Sequence, residues 1–227
     1  EQAFEQQKQF IGNASHELQT PLAVSLGRLE LLADSTPALT EAQLAEVIKT
    51  QQTLRRAVRL NRSLLFLTKI DNRQFLDQTD LCLDALLRRD LEDLQEVYAS
   101  RRITVDLTAV DPPLRASMHE SLADALVSNL LKNAFVHNHP DGRILIRIAT
   151  PTLTIANTGP AASLDPTHLF DRFHQGPHRV EGSTGLGLSI VRAICRLYAI
   201  DIRYAFTADR LHTFTLTFPL TSQNKTP

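Results

Sequence analysis

One run of residues combines a histidine with a neighbouring carboxylate, a composition that suits nucleophilic chemistry. The run is FIGNASHELQTPL, residues 10–22, and it contains His16, Glu17 and Thr20. Polar neighbours flank His16, so we expect its imidazole on a wet helix face, where it can act as a nucleophile. Glu17 can accept the Nδ1 proton and so raise the nucleophilicity of Nε2. Thr20 follows one turn later on the same face, where its hydroxyl can orient a water.

Considered alone, His16 is better explained as a solvated surface histidine of an amphipathic helix. Pro21 lies just beyond it and removes a backbone hydrogen bond, so we expect a bend there.

Two asparagines four residues apart, Asn129 and Asn133, form a second candidate site. They lie in NLLKNAFVHN, residues 129–138, so both amides project from one face of a predicted helix. Amide oxygens are suitable ligands for Mg²⁺ held against phosphates. Paired asparagines on an otherwise apolar helix are costly unless they have partners, which favours this interpretation over two surface amides.

Two strings that contain glycine are suited to binding phosphates through the backbone. GSTGLGLSIV, residues 182–191, opens an apolar helix after a glycine-rich loop, where free N–H groups and the positive helix end attract anions. IANTGPA, residues 155–161, follows a predicted strand and by itself is an ordinary turn. A dinucleotide-binding turn is the competing interpretation, but that fingerprint belongs to an early βαβ unit and these glycines lie near the C-terminus.

A fifth string, LFDRF at residues 169–173, places two aromatic residues around a charged pair. The aromatics can anchor a loop to the domain, and Arg172 can reach a phosphate. The alternative is a short amphipathic turn.

Two long helices must position His16. Apolar residues recur at helical spacing over about residues 5–33 and again up to about residue 70, and Thr40 supplies the N-cap of the second helix. Both apolar stripes persist over many turns, so we expect two hairpins to pair as a four-helix bundle. A monomeric hairpin packed on the rest of the chain is the alternative.

The rest of the chain has α+β patterning after a polar linker at residues 71–80. Helices are expected at 81–100, 119–137 and 185–199, and strands at 102–107, 114–118, 143–149, 153–157, 202–206 and 211–218. Residues 159–184 form a loop longer than about 12–15 residues, a length typical of functional lids or of disordered segments.

Composition argues against several kinds of function. The formal net charge is −1, so the chain lacks the basic field that nucleic-acid binders use. No stretch approaches the roughly 20 apolar residues of a membrane helix. Cys82 and Cys195 lie far apart without metal-type spacing, so we expect buried thiols and no disulfide.

The five strings, in this order, resemble the catalytic core of sensor histidine kinases of two-component systems. They are similar to that family's H-box, N-box, G1 box, F-box and G2 box, and the second half resembles the Bergerat ATP-binding fold shared with gyrase, Hsp90 and MutL. The sequence departs from the family pattern at Gln19, usually Arg, at Val136, often Lys, at Asn157, usually Asp, and at Ala161, usually Gly.

The resemblance implies a dimerisation and phosphotransfer domain over residues 1–72, a linker over 73–80, an α/β-sandwich ATP-binding domain over 81–220 and a tail over 221–227. It implies that His16 is the phospho-acceptor, Glu17 the general base and Thr20 a residue that assists a phosphatase reaction. ATP and Mg²⁺ are the implied cofactors, with Asn133 as the metal ligand. Nucleotide contacts are implied for Asn129, Asn133, His137, Asn157, Gly159, Arg172, Thr184, Gly185, Leu186, Gly187 and Leu188.

The expected function is therefore ATP-dependent autophosphorylation on His16, then transfer to an aspartate in the receiver domain of a response regulator, with phosphatase activity on that regulator. The expected partners are the regulator and a second copy of the chain, without nucleic acid. Membrane attachment is expected only through segments absent from this sequence, as for the cytoplasmic portion of an inner-membrane sensor. Three alternatives stay open: a weakly catalytic or non-catalytic ATP-binding signalling module of the same fold, a protein that acts chiefly as a phosphatase, and a helical dimerisation module with an inert domain.

Overall fold

The computed structural model describes residues 2–34, 39–174 and 184–219, and it describes side chains from residue 18 onward. The chain divides into two compact units, residues 1–74 and 75–227. This division falls close to the sequence-predicted end of the first domain at residue 72.

The first unit is a helical hairpin of α1 (Gln2–Asp34) and α2 (Glu41–Asp71), which pack against each other. Pro21 lies inside α1, and the helix continues through it. Thr40 caps α2 as predicted: its hydroxyl accepts from the Gln43 backbone N–H, and the Gln43 side chain accepts from the Thr40 N–H. This reciprocal capping box satisfies two backbone donors that would otherwise lack partners at the helix start.

The hairpin exposes several large apolar side chains along its length. Leu18 is 53% exposed, Val24 50% and Ile48 43%. Exposed apolar side chains are costly to leave in water, so they mark surfaces that other helices can cover. Within the described residues, neither long helix has the apolar stretch that a membrane crossing requires.

The second unit is an α/β sandwich. Its elements in chain order are β1 (Thr79–Cys82), α3 (Leu83–Val97), a 3₁₀ turn (Ala99–Arg101), β2 (Thr104–Val110), β3 (Arg115–Met118), α4 (Glu120–Val136), β4 (Arg143–Ala149), β5 (Thr152–Asn157), α5 (Gly187–Leu197), β6 (Asp201–Phe206) and β7 (His212–Thr217). Five strands form one sheet in the order β2-β4-β5-β7-β6, with β2 parallel to β4 and the other neighbours antiparallel. The predicted α+β fold class is confirmed.

The core of this unit lies between the sheet and the helices. Period-two alternation buries one face of the central strands, whereas their other face is rich in threonine and more exposed. The core side chains that the sheet and α4 contribute include Ile144, Ile146, Ile148, Leu153, Ile155, Phe214, Leu216, Leu122, Leu126, Leu130 and Phe135. Burial of an aliphatic or aromatic side chain contributes roughly 1.5–3 kcal/mol, so this layer supplies most of the unit's stability.

The helix predicted from residue 81 begins later, at Leu83, because the preceding residues Thr79–Cys82 pair with Arg115–Met118 as an antiparallel ribbon. The Leu83 N–H donates to the Leu114 carbonyl at 2.9 Å, and the Asp84 carboxylate accepts from the Leu114 N–H at 2.9 Å. Strand pairing therefore takes residues 81–82 from the expected helix and residues 79–80 from the expected linker.

The two cysteines are free thiols, as the sequence predicts. Cys195 is buried and Cys82 half-buried. Burial raises the pKa of Cys195 to about 12, which keeps the thiol protonated and unreactive.

Candidate functional site

The string that contains His16, residues 10–22, lies within α1. His16, Glu17 and Thr20 all belong to this helix, so His16 and Thr20 are one turn apart along it. Thr20 is exposed, whereas the side chains of His16 and Glu17 lie outside the described residues. The proton transfer from His16 to Glu17 stays a prediction.

The helix α4 positions the two asparagines of the second string. Asn129 and Asn133 are both half-buried, and the neighbouring leucines at 126, 130 and 131 are fully buried in the core. The Asn129 amide nitrogen donates to the Ala125 carbonyl one turn back, at 2.7 Å. Because that bond uses the Asn129 nitrogen, the Asn129 oxygen is turned the other way.

The glycine string at residues 182–191 lies against α4 at Asn129. A Cβ atom on Gly187, the first residue of α5, would lie 2.9 Å from the Asn129 amide oxygen. Gly185 has a φ of +71° and lies against the backbone of Phe173 and His174. Gly185 therefore requires glycine for its backbone conformation, whereas a side chain at position 187 would displace the Asn129 amide.

The remaining residues of this string are placed differently from one another. Thr184 and Leu188 are half-buried, whereas the Leu186 side chain is fully buried in the core. A ligand could therefore contact only the backbone of Leu186. Residues 175–183, which include the glycine at 182, lie outside the described residues.

Asn157, at the end of β5, carries a buried side-chain oxygen without a hydrogen-bond partner. The residue is 1% exposed, and its amide nitrogen donates to the Thr158 carbonyl at 2.8 Å. That bond determines which way the amide points, so the oxygen is left as an acceptor. A buried acceptor without a partner costs about 1–3 kcal/mol, which a ligand that donates a hydrogen bond would offset.

A polar network joins the end of α4 to the end of β5. The Thr158 hydroxyl donates to the Asn138 side-chain oxygen at 2.5 Å and accepts from the Arg143 N–H at 2.9 Å. The Asn138 nitrogen donates to the Arg143 carbonyl at 3.2 Å. A Cβ on Gly142 would clash with both Asn138 and Thr158. This network fixes the turn that carries Asn157 relative to α4.

Gly159 lies in a narrow space between a strand and the end of α4. A Cβ at this position would be 2.9 Å from the imidazole Cδ2 of His212 and 3.0 Å from the His137 carbonyl oxygen. His212 is buried and is the cross-strand partner of Asn157. Sequence analysis missed His212, because only the β5–β7 register brings it to the site.

His137 forms the C-cap of α4 and lies close to this turn. Burial, followed by the charges of His212 and Arg101, lowers the pKa of His137 below its ordinary value. The imidazole is therefore neutral at physiological pH, and it cannot serve as a fixed cation for a phosphate.

The aromatic string is anchored through one of its two phenylalanines. The Phe170 ring meets Phe214 edge to face, and the Arg192 guanidinium lies over it at 5.7 Å. Phe173, in contrast, is 55% exposed. Arg172 is exposed beside it, in the part of the loop where the sequence predicts a phosphate contact.

The residues of the second unit fit an adenine nucleotide. Asn157 presents an unpartnered buried acceptor, which suits an exocyclic amine, and Gly187 brings the start of α5 close to the Asn129 amide oxygen. Asn133 lies on the same helix as Asn129 and has the type of oxygen that Mg²⁺ prefers.

The fold and this set of residues define an ATPase unit joined to a helical phospho-acceptor hairpin, and comparison with known families agrees. Residues 118–222 match the family described as histidine kinase-, DNA gyrase B- and HSP90-like ATPase. Residues 6–73 match the His Kinase A (phospho-acceptor) domain. The chain belongs to the sensor histidine kinases of two-component systems, whose catalytic core it contains.

Two curated relatives illustrate this similarity. The chain is 31% identical over 223 residues to the phosphate regulon sensor protein PhoR of Pseudomonas aeruginosa, covering 93% of this chain and 49% of that protein. It is 34% identical over 206 residues to the sensor histidine kinase TrcS of Mycobacterium tuberculosis, covering 84% of this chain and 40% of that protein. The chain thus spans less than half the length of these two relatives.

Solved structures establish the same fold. The crystal structure of full-length ShkA in complex with AMPPNP has a TM-score of 0.76 at 21% identity, covering 93% of this chain and 45% of that one. The histidine kinase AdeS of Acinetobacter baumannii has a TM-score of 0.61 at 22% identity, covering 91% of this chain and 98% of that one.

Proposed function

We propose that the second unit binds ATP and that the γ-phosphoryl group is transferred to Nε2 of His16. The bond from the γ-phosphorus to the bridging oxygen breaks as the P–N bond forms, and ADP leaves. Glu17 takes the Nδ1 proton of the phosphorylated ring. The observation that carries the proposal is the buried, unpartnered Asn157 oxygen beside a turn that only glycine fits.

Asn157 selects the base of the nucleotide in this proposal. An amide can both donate and accept hydrogen bonds, but the Asn157 nitrogen is already bonded to the Thr158 carbonyl. One N–H of that nitrogen is used there, whereas the oxygen has no partner and suits the 6-amino group of adenine, a donor. Guanine presents a carbonyl oxygen at the same place, so two acceptors would face each other. We therefore expect ATP to bind in preference to GTP.

The phosphates lie, in this proposal, near the start of α5. The backbone from Thr184 to Leu188 supplies N–H groups at a helix N-terminus, which favours negative charge. Asn129 lies against Gly187 from α4, and we propose that Asn133 and Arg172 also reach the phosphates. Asn133 would hold Mg²⁺, which neutralises charge on the transferred phosphoryl group.

The hairpin supplies the partners of the reaction. We propose that a second copy of the chain covers exposed apolar side chains of the hairpin, among them Leu18, Val24 and Ile48, giving a four-helix bundle. The phosphoryl group on His16 then passes to an aspartate of a response regulator, which docks on α1. Thr20, exposed one turn from His16, orients water for the phosphatase reaction.

The test is incubation of the purified chain with γ-labelled Mg-ATP, beside His16→Gln and Asn133→Ala variants. We expect acid-labile, alkali-stable label on the parent chain and on neither variant. Thr20→Ala is the matched control on the same helix and should still become labelled, while its phosphatase activity on a phosphorylated regulator falls.

Two results would redirect the proposal. Nucleotide binding without label on any chain would favour the non-catalytic ATP-binding module, a candidate that the neutral Asn157 supports because it lacks charge assistance. Labelling that persists in His16→Gln would reject His16 as the acceptor.

A further inference from the structure

Two side chains of the β6–β7 ribbon hold the backbone that follows Gly159. The His212 Nε2 atom lies 2.9 Å from the Pro160 carbonyl oxygen, and its Nδ1 atom lies 2.9 Å from the Tyr204 hydroxyl. The Tyr204 hydroxyl also accepts from the Leu164 N–H at 3.0 Å. A chain of three hydrogen bonds therefore connects two backbone groups of one loop through two side chains of one sheet.

The direction of each hydrogen bond follows from chemistry. A carbonyl oxygen only accepts, so Nε2 of His212 carries the proton that it donates to Pro160. Nδ1 is then the acceptor of the neutral ring, and the Tyr204 O–H donates to it. The Tyr204 oxygen keeps a lone pair for the Leu164 N–H. With the proton on Nε2, every donor in the chain of hydrogen bonds has one acceptor.

The burial of His212 gives this arrangement its rigidity. The residue is 4% exposed, and its ring is stacked on the Tyr204 ring at 6.1 Å between centroids. The same ring fills the space beside Gly159 and stands opposite Asn157 across the β5–β7 pair. A movement of His212 would therefore displace both residues that the nucleotide is proposed to meet.

We infer that His212 and Tyr204 are positioning residues for the nucleotide, because they hold the turn at Gly159 and the following loop in the conformation that binds ATP. They act on the loop backbone and not on the nucleotide itself. The inference rests on the proposed function, since it deepens the account of the ATP site. Preorganisation of this kind strengthens binding by lowering the cost of ordering the loop.

The first test is the Tyr204→Phe variant, which keeps the ring and removes the hydroxyl. Loss of this hydrogen-bonded hydroxyl should weaken ATP and ADP binding by roughly 5- to 30-fold. The KM for ATP should rise while kcat at saturating ATP stays unchanged. In the nucleotide-free protein, hydrogen exchange at the Leu164 amide should become faster.

Tyr198→Phe is the matched control. The Tyr198 hydroxyl also accepts from a backbone N–H, that of His119, at 2.9 Å. Neither residue belongs to the loop that follows Gly159. Its removal should leave the KM for ATP and the Leu164 exchange rate at their wild-type values. If both phenylalanine variants raised the KM alike, the effect would be general destabilisation and the inference would be overturned.

The His212→Gln and His212→Leu variants test the other half of the chain of hydrogen bonds. The glutamine side chain can still donate to the Pro160 carbonyl, so it should bind ATP more tightly than the leucine variant. Equal affinities would contradict a role for the Nε2 donor. If His212→Leu fails to fold, the comparison of Tyr204→Phe with Tyr198→Phe still decides the matter.

The two proposals can fail separately. Wild-type protein that binds no ATP would reject the proposed function. Wild-type protein that binds ATP, together with a Tyr204→Phe variant that binds it equally well and exchanges Leu164 at the wild-type rate, would reject only the positioning role.

Discussion

Asn157 stands where the resembled family usually has an acidic residue, and its surroundings make an amide behave as an acceptor. The bond from its nitrogen to the Thr158 carbonyl leaves the oxygen as a buried acceptor without a partner. A neutral acceptor forms a weaker hydrogen bond than a carboxylate does. The substitution therefore changes the strength of the contact and leaves its direction unchanged.

We predict that Asn157→Ala weakens ATP binding by about 5-fold or more, the value of roughly 1 kcal/mol for one neutral hydrogen bond. Asn157→Asp should bind ATP at least as tightly as the wild type. Isothermal titration calorimetry measures both, with GTP as the comparison ligand. Equal affinity of the wild type for ATP and GTP would contradict the orientation assigned to the amide.

His137 makes stability depend on pH. Its pKa is lowered in the folded state, chiefly by burial, so the unfolded chain binds more protons in the range below the ordinary imidazole value. Stability from this group is present above about pH 6.5 and is lost as pH falls below it. The free energy of unfolding of the wild type should therefore fall more steeply than that of His137→Gln between about pH 7.5 and pH 5.5. If the free energy of unfolding fell by the same amount in the wild type and in His137→Gln between these pH values, His137 would not be desolvated in the folded protein.

Residue types and spacing were enough to propose Asn129, Asn133 and the glycines as site residues, because the chemistry expected of them is encoded within single short strings. They were not enough for His212 or Tyr204, which lie on strands without a local signature. Only cross-strand register places His212 opposite Asn157, and the Tyr204 hydroxyl reaches His212 from the neighbouring strand. The sequence assigned Leu186 a ligand contact, and its complete burial limits that contact to the backbone.

At the scale of elements, the end of α4 is held by Arg101. Its guanidinium donates to the carbonyls of Phe135, at 2.6 Å, and Val136, at 3.3 Å, and also to that of Asn138. The Phe135 and Val136 carbonyls belong to the last turn of the helix, where the regular intrahelical partners run out, and a cation there also suits the helix dipole. The contact sets where α4 stops and therefore where His137 and the Asn138 network begin.

Arg101→Lys should destabilise the second unit by about 1–3 kcal/mol, because an ammonium cannot reproduce the planar fork that spans three carbonyls. Arg102→Lys is the matched control at the neighbouring position. Among the described residues Arg102 pairs with the exposed Asp141, so its replacement should leave the free energy of unfolding nearly unchanged. Chemical denaturation of both variants measures the difference. A loss for Arg102→Lys as large as that for Arg101→Lys would contradict the capping role.

The helices were predictable where apolar periodicity is long, as in α1, α2 and α4, and the cap at Thr40 was predictable from residue type. The ribbon of β1 and β3 was not, since the four residues of β1 show no period of their own. Their pairing depends on a segment about 35 residues later in the chain, and such non-local contacts leave little trace in a short window.

At the scale of the whole molecule, the proposed reaction needs two units and two copies of the chain. The exposed apolar side chains of the hairpin form the surface through which we propose that the two copies pair. Val24→Glu should shift the protein toward the monomer in sedimentation velocity, because a charge would be buried at the helical seam. Leu76→Glu, at a leucine of the second unit that is 83% exposed, should leave the dimer intact. A dimer that survives Val24→Glu would place the interface elsewhere.

The chain contains eight histidines, so acid-labile label alone does not identify the acceptor. The most direct measurement is therefore the position of the phosphoryl group, determined by digestion at neutral to alkaline pH and tandem mass spectrometry after reaction with Mg-ATP. The account predicts phosphate on His16 alone, and none in the Asn133→Ala chain. Phosphate on any other histidine, or on His16 in the absence of a functional nucleotide site, would contradict it.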